Sequence, residues 1–294
     1  MSRVKVPSVS EYTTRRVVRA GAERLGAVGV AHARHEAEWL LSRLAGLRPL
    51  DLYLKEGEIP VDTVARFFDQ IEARATGRPL QYLLGETEFF GERFFVAPGV
   101  FIPRPETETI VEAALEALRT RHATLQRPLR LLDLGTGSGC IAVTLARALP
   151  ACVVVGVELS WDALGAAKRN VLAHGVAGRV SLVRGHWVES IRGRWDGIVS
   201  NPPYVPSQQV EVLPLDVRQE PRLSLDGGED GLRDLRYLVE EAPRLLAPGG
   251  LLVLECGETQ VEPLMAAAHG RAWVVSARPL YDLAKRPRGL LIHG

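Results

Sequence analysis

The sequence lacks the features that mark several large classes of protein. It has no excess of one charge, since 36 Lys and Arg stand against 35 Asp and Glu. A chain that grips long nucleic acid by charge alone needs such an excess. No apolar run approaches the roughly 20 residues of a membrane-spanning helix, and residues 1–19 lack the apolar core of a secretory signal peptide. We therefore expect a cytoplasmic protein with no membrane anchor and no stable binding to nucleic acid.

Cysteine is also scarce, and its placement excludes two kinds of site. Cys140, Cys152 and Cys256 lie in or beside apolar runs and form no C-x-x-C pair. Neither a disulfide framework nor a zinc ribbon is indicated, and we predict no metal site. The remaining composition, with 46% hydrophobic and 24% charged residues over 294 positions, is typical of a globular enzyme with room for two domains.

The first 76 residues are predicted to form a small helical domain. Apolar residues recur at helical spacing in two runs, 37–44 and 64–71. Residues 77–105 then change character, because aromatic and β-branched residues flank Gly91 in a pattern typical of a short hairpin. The sequence therefore predicts a helical domain over 1–76 and a β-hairpin linker over 77–105.

Residues 106–294 are predicted to form an α/β domain. Continuous apolar runs alternate with helical patterns, as expected for parallel strands that are covered on both faces. The expected strands are 130–134, 153–157, 180–184, 196–200 and 250–256, and the expected helices are 138–149, 161–174 and 232–247. Two last runs, 272–278 and 289–293, are joined by too few residues for a helical crossover, so they should be antiparallel. The expected fold is a doubly wound, mostly parallel sheet with an antiparallel last strand.

A glycine-rich turn follows the first of these strands. Residues 133–139 have the sequence Asp-Leu-Gly-Thr-Gly-Ser-Gly, and a helix is expected directly after them. Glycines allow a ligand to approach the backbone closely, and the free N–H groups at a helix start bind a phosphate or a carboxylate. The spacing fits a dinucleotide fingerprint poorly, because Cys140 stands where its last small residue is expected. The form resembles the first motif of class I methyltransferases, which surrounds the methionine part of S-adenosylmethionine; a plain strand-to-helix turn is the simpler alternative.

Two residues at the ends of the next strands are expected to complete a cofactor site. Glu158 closes the second strand, where a carboxylate accepts hydrogen bonds from ribose hydroxyls. Trp187 follows the third strand, whose end usually flanks the adenine in this fold. The simpler interpretations are a solvated charge for Glu158 and a buried core side chain for Trp187.

The tetrapeptide Asn-Pro-Pro-Tyr at 201–204 follows the fourth strand, on the edge of an open α/β sheet where ligands bind. An amide nitrogen is a poor nucleophile because its lone pair is delocalised into the carbonyl. Hydrogen bonds from its NH₂ group to the Asn201 side-chain oxygen and the Pro202 carbonyl would return electron density to it. The prolines stiffen the loop before substrate arrives, and Tyr204 can stack on a flat target group. The loop therefore predicts methyl transfer to an amide-type nitrogen.

Across nearly its whole length the chain resembles the bacterial release-factor glutamine methyltransferases, the PrmC or HemK family. The tetrapeptide is shared with all amino-nitrogen methyltransferases. The segment Ile-Pro-Arg-Pro-Glu-Thr-Glu at 102–108 looks like the family's most specific motif. Further segments that follow its pattern are 78–85, 220–221, 226–232 and 255–260.

The resemblance implies methylation of the glutamine amide in the Gly-Gly-Gln motif of class I peptide chain release factors, with S-adenosylmethionine as methyl donor. It also implies that the helical domain helps to hold the release factor. Carried over residue by residue, the cofactor contacts are Gly135, Thr136, Gly137, Ser138, Gly139, Glu158, Trp187 and Asn201. The glutamine contacts are Asn201, Pro202, Pro203 and Tyr204, and Asn201, Pro202 and Tyr204 are expected to be catalytic.

The chain departs from the family pattern at two positions, and two alternatives stay open. The family usually has Asp where Glu158 stands and an acidic residue where His186 stands. The longer Glu158 can keep its role, and His186 can still hydrogen-bond the base. The first alternative is an amino-nitrogen methyltransferase of a nucleic-acid base, although the chain lacks a basic region to grip one. The second is a non-catalytic cofactor-binding module, which does not explain why the loop at 201–204 is intact.

Overall fold

The structure is a computed structural model that describes residues 13–54, 58–125 and 127–294. These residues form two compact units. The N-terminal segment in which no signal peptide is expected lies largely outside the described residues. Over the ranges that are described, no helix is both long and apolar enough to cross a membrane.

The first unit combines the described residues up to Gly85 with Leu215–Gln219. Its helices are α1 (Thr14–Gly26), α2 (Ala33–Ala45), α3 (Asp51–Leu54), α4 (Val61–Ala75) and α5 (Leu80–Leu84). The two predicted apolar stripes lie on α2 and α4, where Leu40 and Ile71 have no exposed surface. Each of these helices buries one apolar stripe in a shared core, which is what holds short amphipathic helices together.

The segment Leu215–Gln219 is fixed to the helical unit by one ion pair and one packing contact. Arg74, on α4, donates from Nη2 to Oδ2 of Asp216 at 3.1 Å. Gly77, just beyond α4, has a φ of +94°, and a Cβ at this position would overlap the side chain of Leu215. The absence of a side chain at Gly77 therefore lets Leu215 pack against the helical unit.

The second unit holds Glu86–Pro214 and Glu220–Gly294. It begins with the predicted hairpin, in which β1 (Glu86–Phe89) pairs antiparallel with β2 (Glu92–Phe95). Its helices are α6 (Thr107–Thr124), α7 (Cys140–Ala148), α8 (Trp161–Ala173), α9 (Ser207–Val210), α10 (Arg233–Leu245) and α11 (Val261–His269). Its remaining strands are β3 (Leu129–Leu134), β4 (Cys152–Glu158), β5 (Val180–Arg184), β6 (Trp195–Ser200), β7 (Leu246–Glu255), β8 (Ser276–Tyr281) and β9 (Pro287–His293).

Strands β3 to β9 form one sheet in the order β5-β4-β3-β6-β7-β9-β8. The first five strands in this order are parallel, and β9 runs antiparallel to both β7 and β8. The strand order reverses between β3 and β6, whose register places Leu134 beside Ser200. Ligands bind beyond the carboxyl ends of the strands at such a switch point. The glycine-rich turn after β3 and the tetrapeptide after β6 therefore begin side by side, on the fold that the sequence predicted.

Successive residues of the strands face opposite sides of the sheet, and helices cover both sides. On β6, Val199 packs in a core that includes residues of α6 and α7, whereas Ile198 packs in a core that includes residues of α10 and α11. Burial on both faces explains why the parallel strands are continuous apolar runs rather than alternating ones.

Two strands of the sheet begin four residues away from their predicted starts, whereas the others begin within two residues of theirs. Strand β7 begins at Leu246 rather than residue 250, because Leu246 already pairs with Trp195 of β6. Strand β8 begins at Ser276 rather than residue 272 and continues to Tyr281, since its pairing with β9 extends that far, with a register shift between Leu280 and Tyr281. Pro279 is tolerated in β8 because this strand lies at the edge of the sheet.

Candidate active site

The carboxyl edge of the sheet encloses a cavity of about 410 Å³, within the usual range for small-molecule sites. The turn after β3, the end of β4, the residues after β5 and the loop after β6 all contribute to its lining. The predicted site residues that line it are Gly135, Thr136, Gly137, Ser138, Glu158, Trp187, Asn201 and Pro203. The cavity therefore brings together residues from four separate strand ends.

Three predicted site residues lie beside this lining. Gly139 is the N-cap of α7, with a φ of +82°, and a Cβ here would lie 3.2 Å from the Cβ of Ala167. This conformation explains why α7 begins at Cys140 and not at residue 138. Pro202 is buried. Tyr204 is directed into the protein, where it bonds to a buried carboxyl.

The glycine turn takes a shape that only glycine adopts at low cost. Gly135 and Gly137 have φ values of +72° and +56°. A Cβ at Gly135 would lie 3.1 Å from the indole ring of Trp187, whereas a Cβ at Gly137 would meet only a backbone oxygen at 4.0 Å. The turn therefore lets the Trp187 ring close onto its backbone and leaves open space above Gly137.

Asp133 anchors this turn from beneath. Its side chain is fully buried, and Oδ2 accepts hydrogen bonds from the Thr136 hydroxyl and from the N–H of Ala142, the latter at 3.0 Å. Burial raises the pKa of Asp133 to about 7, although the two hydrogen bonds act in the opposite direction. Through these bonds Asp133 joins the end of β3, the turn and the first residues of α7.

The carboxylate of Glu158 faces the cavity and is already bonded to the backbone. Oε2 accepts from the N–H of Gly137 at 2.9 Å, and Oε1 accepts from Leu159 at 2.8 Å and Ser160 at 2.9 Å. A carboxylate has about four acceptor positions. The Glu158 carboxylate can therefore accept about one further hydrogen bond, from a donor group of a ligand.

Trp187 forms one wall of the cavity. Its φ of +45° is unusual for a bulky residue, and its Nε1 donates to Oδ1 of Asp234 at 3.2 Å. The same ring packs against the apolar core on the α10 side of the sheet. His186 also lines the cavity, and its Nδ1 lies 2.9 Å from Oε1 of Glu189. Trp187 is therefore partly buried against the core and also lines the cavity, and its place beside the adenine stays a prediction.

Asn201 is presented to the cavity in one orientation. Its Nδ2 donates to Oγ1 of Thr107 at 3.0 Å, which leaves Oδ1 as the free acceptor. Thr107, the first residue of α6, is buried and also lines the cavity. Directly before Asn201, the Ser200 hydroxyl donates to the carbonyl of Leu134 at 2.6 Å and ties the loop to the end of β3.

A second buried carboxyl, that of Glu255 at the end of β7, lies beneath the tetrapeptide. Its Oε1 accepts a hydrogen bond from the Tyr204 hydroxyl at 3.0 Å. Burial raises the pKa of Glu255 to about 7, although the neighbouring hydroxyls of Thr107 and Tyr204 act in the opposite direction. Burial, together with the Glu255 charge, raises the pKa of Tyr204 as well. The Tyr204 hydroxyl therefore stays protonated and acts as a donor.

Two sequence motifs that the resemblance singled out support the backbone of the tetrapeptide. Gln260 donates from Nε2 to the Tyr204 carbonyl at 2.8 Å. A Cβ at Gly231 would overlap that carbonyl, and a Cβ at Gly227 would lie 2.6 Å from the carbonyl oxygen of Pro203. The motifs at 226–232 and 255–260 therefore position the loop rather than line the cavity.

The motif at 102–108 and the residue before it form a further part of the cavity wall. Phe101 and Pro103 line the cavity. The segment is held by the buried carboxylate of Glu220, which accepts from the N–H of Ile102 at 2.9 Å and pairs with Arg104. A buried carboxylate with two such partners fixes the position of this wall.

Asp133, Thr107 and Glu255 had no role in the sequence interpretation, although each lies in a quoted motif. For Asp133 and Glu255 the sequence did contain a signal, because each carboxylate lies within or at the end of an apolar strand, as at 251–255. A carboxylate at such a position becomes buried with the strand, and a buried carboxylate needs hydrogen-bond partners. The partners themselves come from distant parts of the chain.

Two family models match the chain. The model described as PrmC N-terminal domain matches residues 16–85, and the model described as methyltransferase small domain matches residues 93–216. The two matches fall mainly in the helical unit and in the second unit respectively.

Whole-length relatives and one solved structure extend this likeness. The release factor glutamine methyltransferase of Moorella thermoacetica is 42% identical over 96% of this chain and 98% of that protein. The protein of the same name from Geobacter sulfurreducens is 45% identical over 86% of this chain and 87% of that protein. The hMettl16 catalytic domain, solved in complex with MAT2A 3′UTR hairpin 6, has a TM-score of 0.54 at 17% identity, covering 76% of this chain and 81% of that chain. At this low identity, the last likeness concerns the fold alone.

Proposed function

Because the chain belongs to the family of release factor glutamine methyltransferases, we propose that it methylates the side-chain amide nitrogen, N5, of a glutamine in class I peptide chain release factors. The methyl donor is S-adenosylmethionine, and the target glutamine is that of the Gly-Gly-Gln motif. One observation carries the proposal: the glycine turn, Glu158 and Asn201 line the same cavity. The site for the methyl donor and the loop that orients the substrate amide therefore line the same cavity.

The residues around the cavity fit S-adenosylmethionine. The turn and the start of α7 offer backbone N–H groups and a positive helix end to the carboxylate of the methionine part. Glu158 has acceptor capacity for a ribose hydroxyl, and Trp187 offers a flat wall for the adenine. Ser138 lines the cavity, and its buried Oγ has no hydrogen-bond partner among the described residues, so it can receive a polar group of the ligand.

Bound S-adenosylmethionine supplies an electrophilic methyl group. The loop residues orient the substrate amide towards it. Asn201 accepts one amide N–H through Oδ1, because its Nδ2 is committed to Thr107, and the Pro202 carbonyl accepts the other. These bonds hold the amide plane and return electron density to the nitrogen. Tyr204, which lies beside the cavity lining, anchors this loop through the hydrogen bond from its hydroxyl to Glu255.

The proton balance requires no strong base before attack. Formation of the nitrogen–carbon bond would break the methyl–sulfur bond of the donor, whose sulfur keeps the electron pair, and would leave the amide nitrogen cationic and acidic. Its N–H proton then departs to water, which regenerates a neutral amide. The task of the protein is therefore to position two acceptors and to hold them still, which is consistent with a loop of two prolines.

We also propose roles for the parts of the chain outside the catalytic residues. Residues 1–76 help to hold the release factor, and residues 77–105 link them to the catalytic domain at 106–294. The match of residues 16–85 to the PrmC N-terminal domain supports a separate N-terminal domain, although the match extends to residue 85. Stable binding to nucleic acid is not expected, because the net charge is only +1.

The cytoplasm is the proposed site of action, because translation termination takes place there. Cys140, Cys152 and Cys256 are free and buried. Unpaired cysteines suit a reducing compartment.

The test uses the purified chain, S-adenosylmethionine labelled in its methyl group and a bacterial release factor. A copy of the factor with the Gly-Gly-Gln glutamine changed to alanine serves as the control. Label on the intact factor alone supports the proposal. Absence of label from the factor, with label entering duplex DNA or RNA, would assign the protein to the base-modifying alternative.

A further inference from the structure

The start of α10 contributes two charged residues, Arg233 and Asp234, to the lining of the cavity. Asp234 is buried, with 7% of its surface exposed, and a buried carboxylate needs hydrogen-bond partners. Its Oδ1 accepts from Nε1 of Trp187 at 3.2 Å, and its Oδ2 accepts from Nη2 of Arg233 at 2.8 Å. The Asp234 carboxylate therefore joins the indole ring that walls the cavity to the first turn of α10.

We propose that Asp234 is a positioning residue for the methyl donor, because it holds the Trp187 ring in place as the wall against which the adenine of S-adenosylmethionine lies. The proposal rests on the proposed function and deepens it. Asp234 acts through the indole N–H, so its effect on the donor passes through Trp187.

The Trp187 side chain needs such support because its backbone is strained. A φ of +45° is an outlier for a bulky residue, and a conformation of this kind persists only where the surrounding structure holds it. The six-membered end of the ring lies against the glycine turn, since a Cβ at Gly135 would be 3.1 Å from its Cζ3 atom. The N–H at the other end donates to Asp234. The ring is therefore held at both ends, and the loss of Asp234 would release one of them.

The Asp234 carboxylate is itself held in position. Nη2 of Arg233, which donates to Asp234, also donates to the carbonyl of Asp226 at 2.8 Å. Asp226 belongs to the motif at 226–232, which supports the tetrapeptide. A hydrogen-bonded path therefore runs from this motif through Arg233 and Asp234 to the Trp187 ring.

A ring without its acceptor would turn about its side-chain bonds into the space that the adenine occupies. The donor binds only to molecules whose ring lies at the wall, so its apparent Kd rises by the inverse of their fraction. A wall position occupied in about one tenth of the molecules gives an increase of about tenfold. The methyl-transfer step should change less, because Asn201 and its partner Thr107 remain in place once the donor is bound.

The test measures the Kd of the full chain for S-adenosylmethionine by calorimetry, without a release factor. Asp234→Leu keeps the branched shape of the side chain but removes the acceptor, and it should raise Kd about tenfold. Trp187→Phe keeps an aromatic ring but removes the N–H. In that background Asp234→Leu should raise Kd by less than about twofold, because Asp234 no longer has an indole to hold.

Rates with a release factor provide a second readout. For Asp234→Leu, the KM for S-adenosylmethionine should rise with Kd, whereas kcat should fall by less than about threefold.

A matched variant separates positioning from the effect of an acidic residue at a helix start. Asp234 is the second residue of α10, and Glu262 is the second residue of α11, where it is exposed. A negative charge at either position stabilises the helix. Asp234→Leu and Glu262→Leu should therefore both lower stability, but Glu262→Leu should leave the Kd for S-adenosylmethionine unchanged.

A spectroscopic measurement tests the hydrogen bond in the unmodified protein. The chain has five tryptophans, and the indole N–H signal of Trp187 is the one that Trp187→Phe removes from the nitrogen-15 NMR spectrum. Its N–H should exchange with solvent about tenfold more slowly than that of Trp161, which is 69% exposed. Asp234→Leu should increase the exchange rate of Trp187 and leave that of Trp161 unchanged.

The proposal is overturned if Asp234→Leu keeps the wild-type Kd, or if it raises Kd equally in the Trp187→Phe background. Should Asp234→Leu fail to fold, equal exchange rates for the Trp187 and Trp161 indoles in the unmodified protein would contradict the proposal by themselves. A chain that binds S-adenosylmethionine but leaves the release factor unmethylated contradicts the proposed function instead, so the two failures are distinguishable.

Discussion

Two buried carboxyls, Asp133 and Glu255, support the two sides of the cavity in different ways. Asp133 lies under the glycine turn and bonds to a backbone N–H and to the Thr136 hydroxyl. Glu255 lies under the tetrapeptide, where it accepts a hydrogen bond from the Tyr204 hydroxyl. Asp133 therefore fixes the backbone of the turn, and Glu255 anchors the side chain of Tyr204.

This difference matches the needs of the two halves of the reaction. A turn that accepts the donor molecule needs a fixed backbone path and open space, which glycines and one anchored carboxyl provide. A loop that activates an amide needs two acceptors that point correctly, which depends on the direction of each hydrogen bond. Substitutions that affect Asp133 should reduce cofactor affinity and stability, whereas substitutions that affect the tetrapeptide above Glu255 should reduce kcat.

The largest expected effect lies on the loop side. Asn201→Ala removes one of the two amide acceptors and should lower kcat about 1000-fold, a loss typical of a preorganised polar contact. The cofactor Kd, measured by calorimetry, should change less than about tenfold, since the glycine turn and Glu158 remain. A collapse of cofactor affinity with high residual turnover would show that Asn201 acts on the cofactor side.

The next largest effect lies on the turn side. Asp133→Ala leaves the N–H of Ala142 and the Thr136 hydroxyl without their buried acceptor, which should cost about 1–3 kcal/mol of unfolding free energy. Chemical denaturation and cofactor titration check this, and both stability and affinity should fall. Thr136→Val is the milder control because it keeps the carboxyl. An Asp133 variant with normal cofactor affinity and reduced kcat would contradict the proposed difference between Asp133 and Glu255.

Gly135→Ala tests the close approach of Trp187 to the turn. The added Cβ would meet the indole ring at 3.1 Å, on a backbone with a φ of +72°. Gly175→Ala is a matched control, since its φ is +67° but its Cβ would meet nothing within 4 Å. Both variants should lose about 1–2 kcal/mol of stability from backbone strain. Only Gly135→Ala should weaken cofactor binding, by about tenfold, and equal binding by both variants would contradict a role for this contact.

The smallest expected effect is the pH dependence of stability. Burial raises the folded-state pKa of both Asp133 and Glu255 to about 7, from 3.8 and 4.5 for the free groups. Folding therefore takes up protons between these values, and the stability from these groups is present at low pH and lost as pH rises through about 7. The melting temperature should therefore fall as the pH rises from about 5 to about 8. In Asp133→Asn this slope should be shallower; an unchanged slope would mean that Asp133 is ionised throughout.

Much of the architecture was predictable because it depends on local patterns. The alternation of apolar strands and helices predicted the sheet, and the family membership of the chain confirms the methyltransferase fold, the methyl donor and the reaction class. The antiparallel end of the sheet is confirmed, although β8 extends past Pro279 because its pairing with β9 continues. The individual roles of the site residues remain predictions.

The supporting contacts were not predictable because they join distant positions. Asn201 and Thr107 are 94 residues apart, and Tyr204 and Glu255 are 51 residues apart. The segment Leu215–Gln219 joins the helical unit through a pair separated by 142 residues. No periodicity or spacing records such pairs, since they arise only when strand ends meet at one edge of the sheet.

The most direct measurement is the position of the transferred methyl group. The purified chain, a bacterial release factor and S-adenosylmethionine with a deuterated methyl group are incubated together, and the factor is digested and sequenced by tandem mass spectrometry. We predict one deuterated methyl group, on the glutamine of the Gly-Gly-Gln peptide. A factor that carries the label at another residue, or no label while the chain binds the cofactor, would contradict the proposed function.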